Sequence, residues 1–121
     1  MYRAGKYNIT IEEGVKFELA ITYVDENEDP VDLTDCTACM DIRETKESDS
    51  VIATLTSDSG ITLGGAAGTI DLEISAEDTR AMDFDKAYYD LEIYPGGLKS
   101  ETIRLLEGKV KLSREVTRSN D

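Results

Sequence analysis

The sequence predicts an all-β fold: a two-sheet antiparallel β-sandwich of about eight short strands, with one short helical crossover near residues 75–82. Three observations carry this expectation. Apolar residues recur at every second position in nearly every segment, the period of a strand with one buried face. Turn residues divide these runs at intervals of roughly 8–15 residues, the rhythm of a sandwich. Because nearly every strand has an apolar side, a second sheet must cover the first.

At 121 residues and 40% hydrophobic content, the chain is long enough for one core and short for two, so residues 1–121 form a single domain. The ordered part is expected over about residues 7–117, with 118–121 a polar, frayed tail. No internal repeat or low-complexity linker interrupts it.

Tyr7–Ile11 is a short alternating strand, closed by Glu12-Glu13-Gly14. Val15–Val24 follows, with Val15, Phe17, Leu19, Ile21 and Tyr23 inward. Asp25–Pro30 is an acidic turn. Val31–Asp35 is a local turn into the strand Cys36–Glu44, where Cys36, Ala38, Met40 and Ile42 face inward. A charged connection, Thr45–Ser50, precedes a strand at Val51–Leu55, and Ser57–Gly60 turns into Ile61–Leu63. Gly64–Gly68, GGAAG, has the composition of a phosphate loop but runs into a strand and carries no lysine, so it is a hairpin turn. In the next strand, Thr69–Ile74, residues Ile70, Leu72 and Ile74 share a face.

Ser75–Met82 is the one helical passage, with Ser75 able to cap it and Asp78 three residues on. Two turns of helix are unstable alone, so it must dock, and Ala81 and Met82 are the expected contacts. Lys86–Thr117 is a hairpin and its continuation. Tyr89, Leu91 and Ile93 point to one face, and Tyr88, Asp90, Glu92 and Tyr94 to the other. Pro95-Gly96-Gly97 reverses the chain. In the return arm Ile103 and Leu105 alternate, the phase slips at Leu106, and Gly108, Val110 and Leu112 resume it. That slip beside a glycine predicts a β-bulge.

Net charge is −13, with 26 acids against 13 bases and no histidine. Residues 25–50 hold 10 acids and 2 bases, whereas residues 99–121 hold 4 acids and 6 bases. The acidic bulk argues against nucleic acid and anionic lipid as partners, since both need a positive footprint. No run approaches the roughly 18 apolar residues of a membrane helix. The first ten residues lack a signal-peptide core, so synthesis and folding in a cytoplasm are expected.

The absence of histidine removes the commonest general base and every Ser-His-Asp or Cys-His arrangement. The same-face acid pairs Asp83/Asp85 and Asp90/Glu92 read as outward-facing side chains, and no enzyme is expected. Cys36 and Cys39 lack the further ligands of a zinc site. Three apart on a strand they face opposite sides, which opposes a disulfide. No metal and no cofactor are therefore expected. The Asp25–Asp29 tip has no glycine for a calcium loop and is stiffened by Pro30, so a solvated hairpin tip is the simpler reading, with calcium the alternative.

Candidate contact residues are Tyr88 and Tyr94 on the polar face of their strand, with Tyr2 and Tyr7 near the N-terminus. Strand Glu107–Val116 is expected at a sheet edge, where Lys109, Lys111 and Arg114 form a basic row beside an acidic body. That row either guards the edge against stray pairing or meets an acidic face, such as residues 25–50, on a neighbouring copy or another protein.

The order VKFELAITY, DPVDLTD, CTACMDIRE, GITLGGAAGTIDLEIS, AEDTRAMD, YYDLEIY and RLLEGKVKLSREVTR resembles small virion-associated proteins of tailed bacteriophages and prophages. It is also similar to the immunoglobulin-like N-terminal domain of phage upper baseplate proteins. The resemblance spans about residues 7–118 and rests on the combination of segments rather than on one diagnostic motif. It implies an immunoglobulin-like sandwich in a non-enzymatic structural or adaptor role, in the tail, baseplate or fibre attachment. Partners would be other phage structural proteins, with self-association open, and the location the virion after synthesis in the host cytoplasm. Alternatives are a capsid decoration protein or, from the tyrosines and the acidic loop, a carbohydrate-binding module.

Overall fold

The computed structural model describes residues 5–117, and there the alternating runs assemble into two facing sheets. The strands are β1 (Gly5–Lys6), β2 (Ile9–Glu12), β3 (Phe17–Thr22), β4 (Thr37–Arg43), β5 (Ala53–Thr56), β6 (Ile61–Leu63), β7 (Thr69–Ile74), β8 (Lys86–Tyr94) and β9 (Ile103–Ser113). One α-helix, α1 (Ala76–Arg80), lies between β7 and β8. The larger sheet runs β1-β9-β8-β4-β5, with β2 also on β9; the smaller runs β3-β7-β6. This is the strand order of an immunoglobulin-like sandwich, with β3, β7 and β6 as B, E and D, and β4, β8 and β9 as C, F and G.

Two features depart from the expectation of an antiparallel sandwich closed by an edge strand. β1 and β2 pair with β9 in parallel, and they share one register, Gly5 against Leu106 and Ile9 against Val110. At the interruption between them the Tyr7 amide donates to the Glu107 carbonyl, and the Asn8 side-chain oxygen accepts from the Lys109 amide. β9 is therefore an interior strand, held by β8 on one side and by β1 and β2 on the other. The expected edge position at Glu107–Val116 is corrected accordingly. Gly108 permits the close approach, because a Cβ there would run into the Tyr7 carbonyl. The Tyr89 hydroxyl donates to that same carbonyl at 2.5 Å. Burial, then Tyr7, pushes its pKa up to about 12, so it stays a donor.

The predicted bulge is present. Leu91 pairs with Leu106 and Glu92 with Arg104, leaving Leu105 as the extra, buried residue. Between the sheets Met40, Ile42, Leu91, Ile93 and Val110 meet Ile70 and Leu72, all at 1% exposure or less. Burying each such side chain stabilises the fold by about 1.5–3 kcal/mol. On β3 the phase is as read, but Phe17, Leu19 and Ile21 are only half-buried, since no described strand pairs beyond β3. Val15 precedes that strand and is exposed, not inward.

Ser75 caps α1, its Oγ accepting from the Asp78 amide at 3.1 Å. Met82 docks as expected, but Ala81 is exposed, because the last turn rotates it to solvent. The anchor is Thr79, at 0% exposure. Its Oγ1 accepts from the Gly14 amide and donates to the Val15 carbonyl, tying the helix to the β2–β3 turn. Gly64–Gly68 is a hairpin connection that includes a 3₁₀ turn, and Gly96 and Gly97 take the positive φ expected of them. Tyr2 and the tail 118–121 lie outside the described residues.

Candidate functional site

The outward residues of β4, β8 and β9 form one continuous face, because each strand turns every second side chain away from the core. Across its centre Asp41 stands opposite Asp90, and Asp90 opposite Glu107. Like charges facing one another destabilise a sheet unless cations are interleaved. Arg43 supplies one, 2.9 Å from Asp41, which also accepts from the Thr54 hydroxyl at 2.9 Å. Arg104 supplies the other, 3.4 Å from Asp90 and 3.9 Å from Glu107. Even so, burial and then Glu92 raise the Asp90 pKa above the ordinary carboxyl value, with Arg104 opposing them. A shallow cleft of about 330 Å³ lies over this centre.

The two candidate tyrosines bracket the cluster and are half-buried. Tyr88 pairs with Arg43 and Lys109 and lies beneath the Lys46 ammonium, 5.9 Å from its ring centroid. Tyr94 lies beneath Lys99 at 5.9 Å, and its hydroxyl donates to Glu92 at 2.8 Å. Burial and that bond raise its pKa above 10.0. Each ring therefore has a cation within reach of one face.

Lys109 and Lys111 project from the same face, as read, toward the end where β8 begins. There Lys86 stands directly opposite Lys111. The three lysines, with Ile9, Thr10 and Val110, line a groove of about 420 Å³. Arg114 does not continue their row. It lies past the end of β9 and turns back to Asp83 at 2.8 Å, the Phe84 carbonyl at 3.0 Å and Asp85 at 3.3 Å. The expected three-residue basic row is thus two of its members plus Lys86, and the pair Asp83/Asp85 serves as a clamp for Arg114.

The remaining candidates fall elsewhere. Cys36 packs against the core, while Cys39 sits on the outer face between Glu92 and Thr56. Burial, then Asp41 and Glu92, push its thiol pKa up, away from the reactive thiolate. The tip at Asp25–Asp29 is a tight hairpin closed by Val24 against Pro30, in which Asp25 accepts from the amides of Asn27 and Asp29. Among the described residues no group of three or more acid or cysteine side chains is placed to hold a metal ion. Tyr7 is 51% exposed on the β1–β2 edge. Arg43, Arg104 and Lys86 were not singled out from sequence, although each lies in the outward phase of its strand.

The fold and this face define an immunoglobulin-like β-sandwich with a polar, aromatic outer sheet. No protein-family model matches the chain, and no curated protein does. Among solved structures it is similar to the extracellular domain of the voltage-gated sodium channel beta4 subunit, described in work on parallel homodimers and cell-cell adhesion. The TM-score is 0.47 and the identity 12%, over 96% of this chain and 98% of that one.

Proposed function

We propose that the chain is a non-enzymatic structural or adaptor component of a bacteriophage particle, sited in the tail, baseplate or fibre attachment and docking through the outer face of its larger sheet. The observation that carries the docking role is that face itself. It is broad, held by interleaved ion pairs on interior strands, bracketed by Tyr88 and Tyr94, and left with lysines at one end. The assignment to a phage particle rests on the whole-chain sequence resemblance, and with it the location in the virion. Other structural proteins of the particle are the expected partners. A sugar-binding role is less well served, because a lysine ammonium lies over each of the two rings. Mass spectrometry of purified particles from the source phage tests the reading. The chain should be present in fixed ratio to a tail or baseplate protein. A fixed ratio to the capsid protein would favour a decoration role, and absence from every intact particle overturns the proposal.

A further inference from the structure

The chain carries twice as many acids as bases, so each cation has carboxylates to choose from. Among the described residues Arg43, Arg80, Arg104 and Arg114 are all ion-paired, as are Lys6 and Lys16. Lys46 and Lys99 stand over tyrosine rings. The bases left without a described partner are Lys86, Lys109 and Lys111, and these three are neighbours on one face. Scattered surface lysines are ordinary; three unpaired ones on one face, two of them direct cross-strand partners, on a chain of net charge −13, are not. Lys86 opposite Lys111 is a like-charge cross-strand pair, which costs stability without a counter-charge between them. Asp85, the one acid that lines the groove, is already engaged by Arg114.

The groove has the shape of an acidic ligand's site. Thr10 and the three lysine stems line it, over the backbone of Ile9 and Val110, whose own side chains are buried in the core. The same chain offers a matching group. Glu26, Glu28 and Asp29, exposed at the tip of the connection from β3 to β4, form no ion pair among the described residues. β3 starts beside Thr79, at the lysine end, and finishes at this tip, so groove and tip occupy opposite ends of the domain.

We infer that the acidic tip of one copy seats in the Lys86/Lys109/Lys111 groove of the next, joining copies head to tail. The contact is heterologous, so it closes into a ring or continues as a filament according to the rotation per step. This deepens the docking role proposed above and rests on it, by naming the partner as a second copy and its chemistry as carboxylate.

Sedimentation velocity on the full chain tests it. The wild type should gain mass with concentration at about 0.1 M salt and lose that gain at about 0.5 M, where screening falls to a few ångströms. K86E/K109E/K111E and, separately, E26K/E28K should each weaken association at least about tenfold, since like charges then meet. All five positions are exposed, so both variants should keep the wild-type thermal midpoint. Mixing the two variants restores opposite charges at every joint and should recover assembly. Wild type that stays monomeric to about 1 mM, or either variant assembling like wild type, overturns the inference. A monomer that instead binds immobilised polyglutamate through the lysines would assign the groove to a foreign acidic partner, which also overturns it. A chain present in particles yet monomeric in solution removes this inference alone. One that assembles but is absent from particles removes the virion role alone.

Discussion

The inner and outer faces of β4, β8 and β9 are made by alternate residues of the same strands, yet they are held together by different physics. Inward, Met40, Ile42, Leu91, Ile93 and Val110 need only be apolar and fill space, and any one loses contacts on all sides if trimmed. Outward, Arg43 beside Asp41 and Arg104 between Asp90 and Glu107 offset a row of facing acids through charges that water partly screens. The inner face therefore holds the fold, and the outer face is free to hold something else. Changes to the first should be large in stability; changes to the second should be small there and large in association.

The widest gap is expected for Leu91→Ala. Leu91 is fully buried opposite Leu106, and its truncation should cost about 2–5 kcal/mol, read as a fall in the denaturant midpoint. A loss under about 1 kcal/mol would mean that the sheets close over the gap and that packing is looser than the burial implies. Thr79→Val comes next. It keeps the shape but leaves the Gly14 amide and Val15 carbonyl without their partner, for about 1–3 kcal/mol in the same measurement. Smallest, and of opposite sign, is Asp90→Asn on the outer face. Burial and Glu92 raise the folded-state pKa of Asp90. Its ionisation therefore costs stability, a cost absent below 3.8 and incurred as pH rises through the raised value. The variant should melt slightly higher than wild type near neutral pH and match it in acid. A lower midpoint at neutral pH would show that the Arg104 contact outweighs the acid repulsion.

The inner face was legible in the sequence because period two is a local property. Ala38, Met40, Ile42, Leu91, Ile93, Val110 and Leu112 need no knowledge of their neighbours, and the bulge announced itself as a phase slip. The outward placing of Tyr88, Tyr94, Lys109 and Lys111 followed from the same alternation. What escaped depends on distant partners. β9 reads as an edge because nothing near it signals that β1 and β2, about a hundred residues earlier, will lie along it in parallel. Gly108 is visible as a glycine in a strand, but its reason is the Tyr7 carbonyl. Arg114 follows the two lysines closely on paper, although one residue out of their phase, and only the return of the α1–β8 connection brings Asp83 and Asp85 to it. Lys86 became part of the groove through its register with Lys111, which lies beyond the bulge. Thr79 looks like any helix residue until the β2–β3 turn meets it.

The parallel pairing of β1 and β2 with β9 also sets a timetable for synthesis. Translation at about 5–20 residues per second separates these partners by roughly 5–20 s, during which the early strands have no mate. β3, β7 and β6 can pair before β9 leaves the ribosome, whereas the larger sheet cannot close until its last strand slots between two that have been waiting. Such sequence-distant pairing slows folding, because the loop must be closed before the contact repays it. Until then one side of β8 and the whole length of β2 stand open, so chains crowded on one message are at their most vulnerable to mispairing in those last seconds.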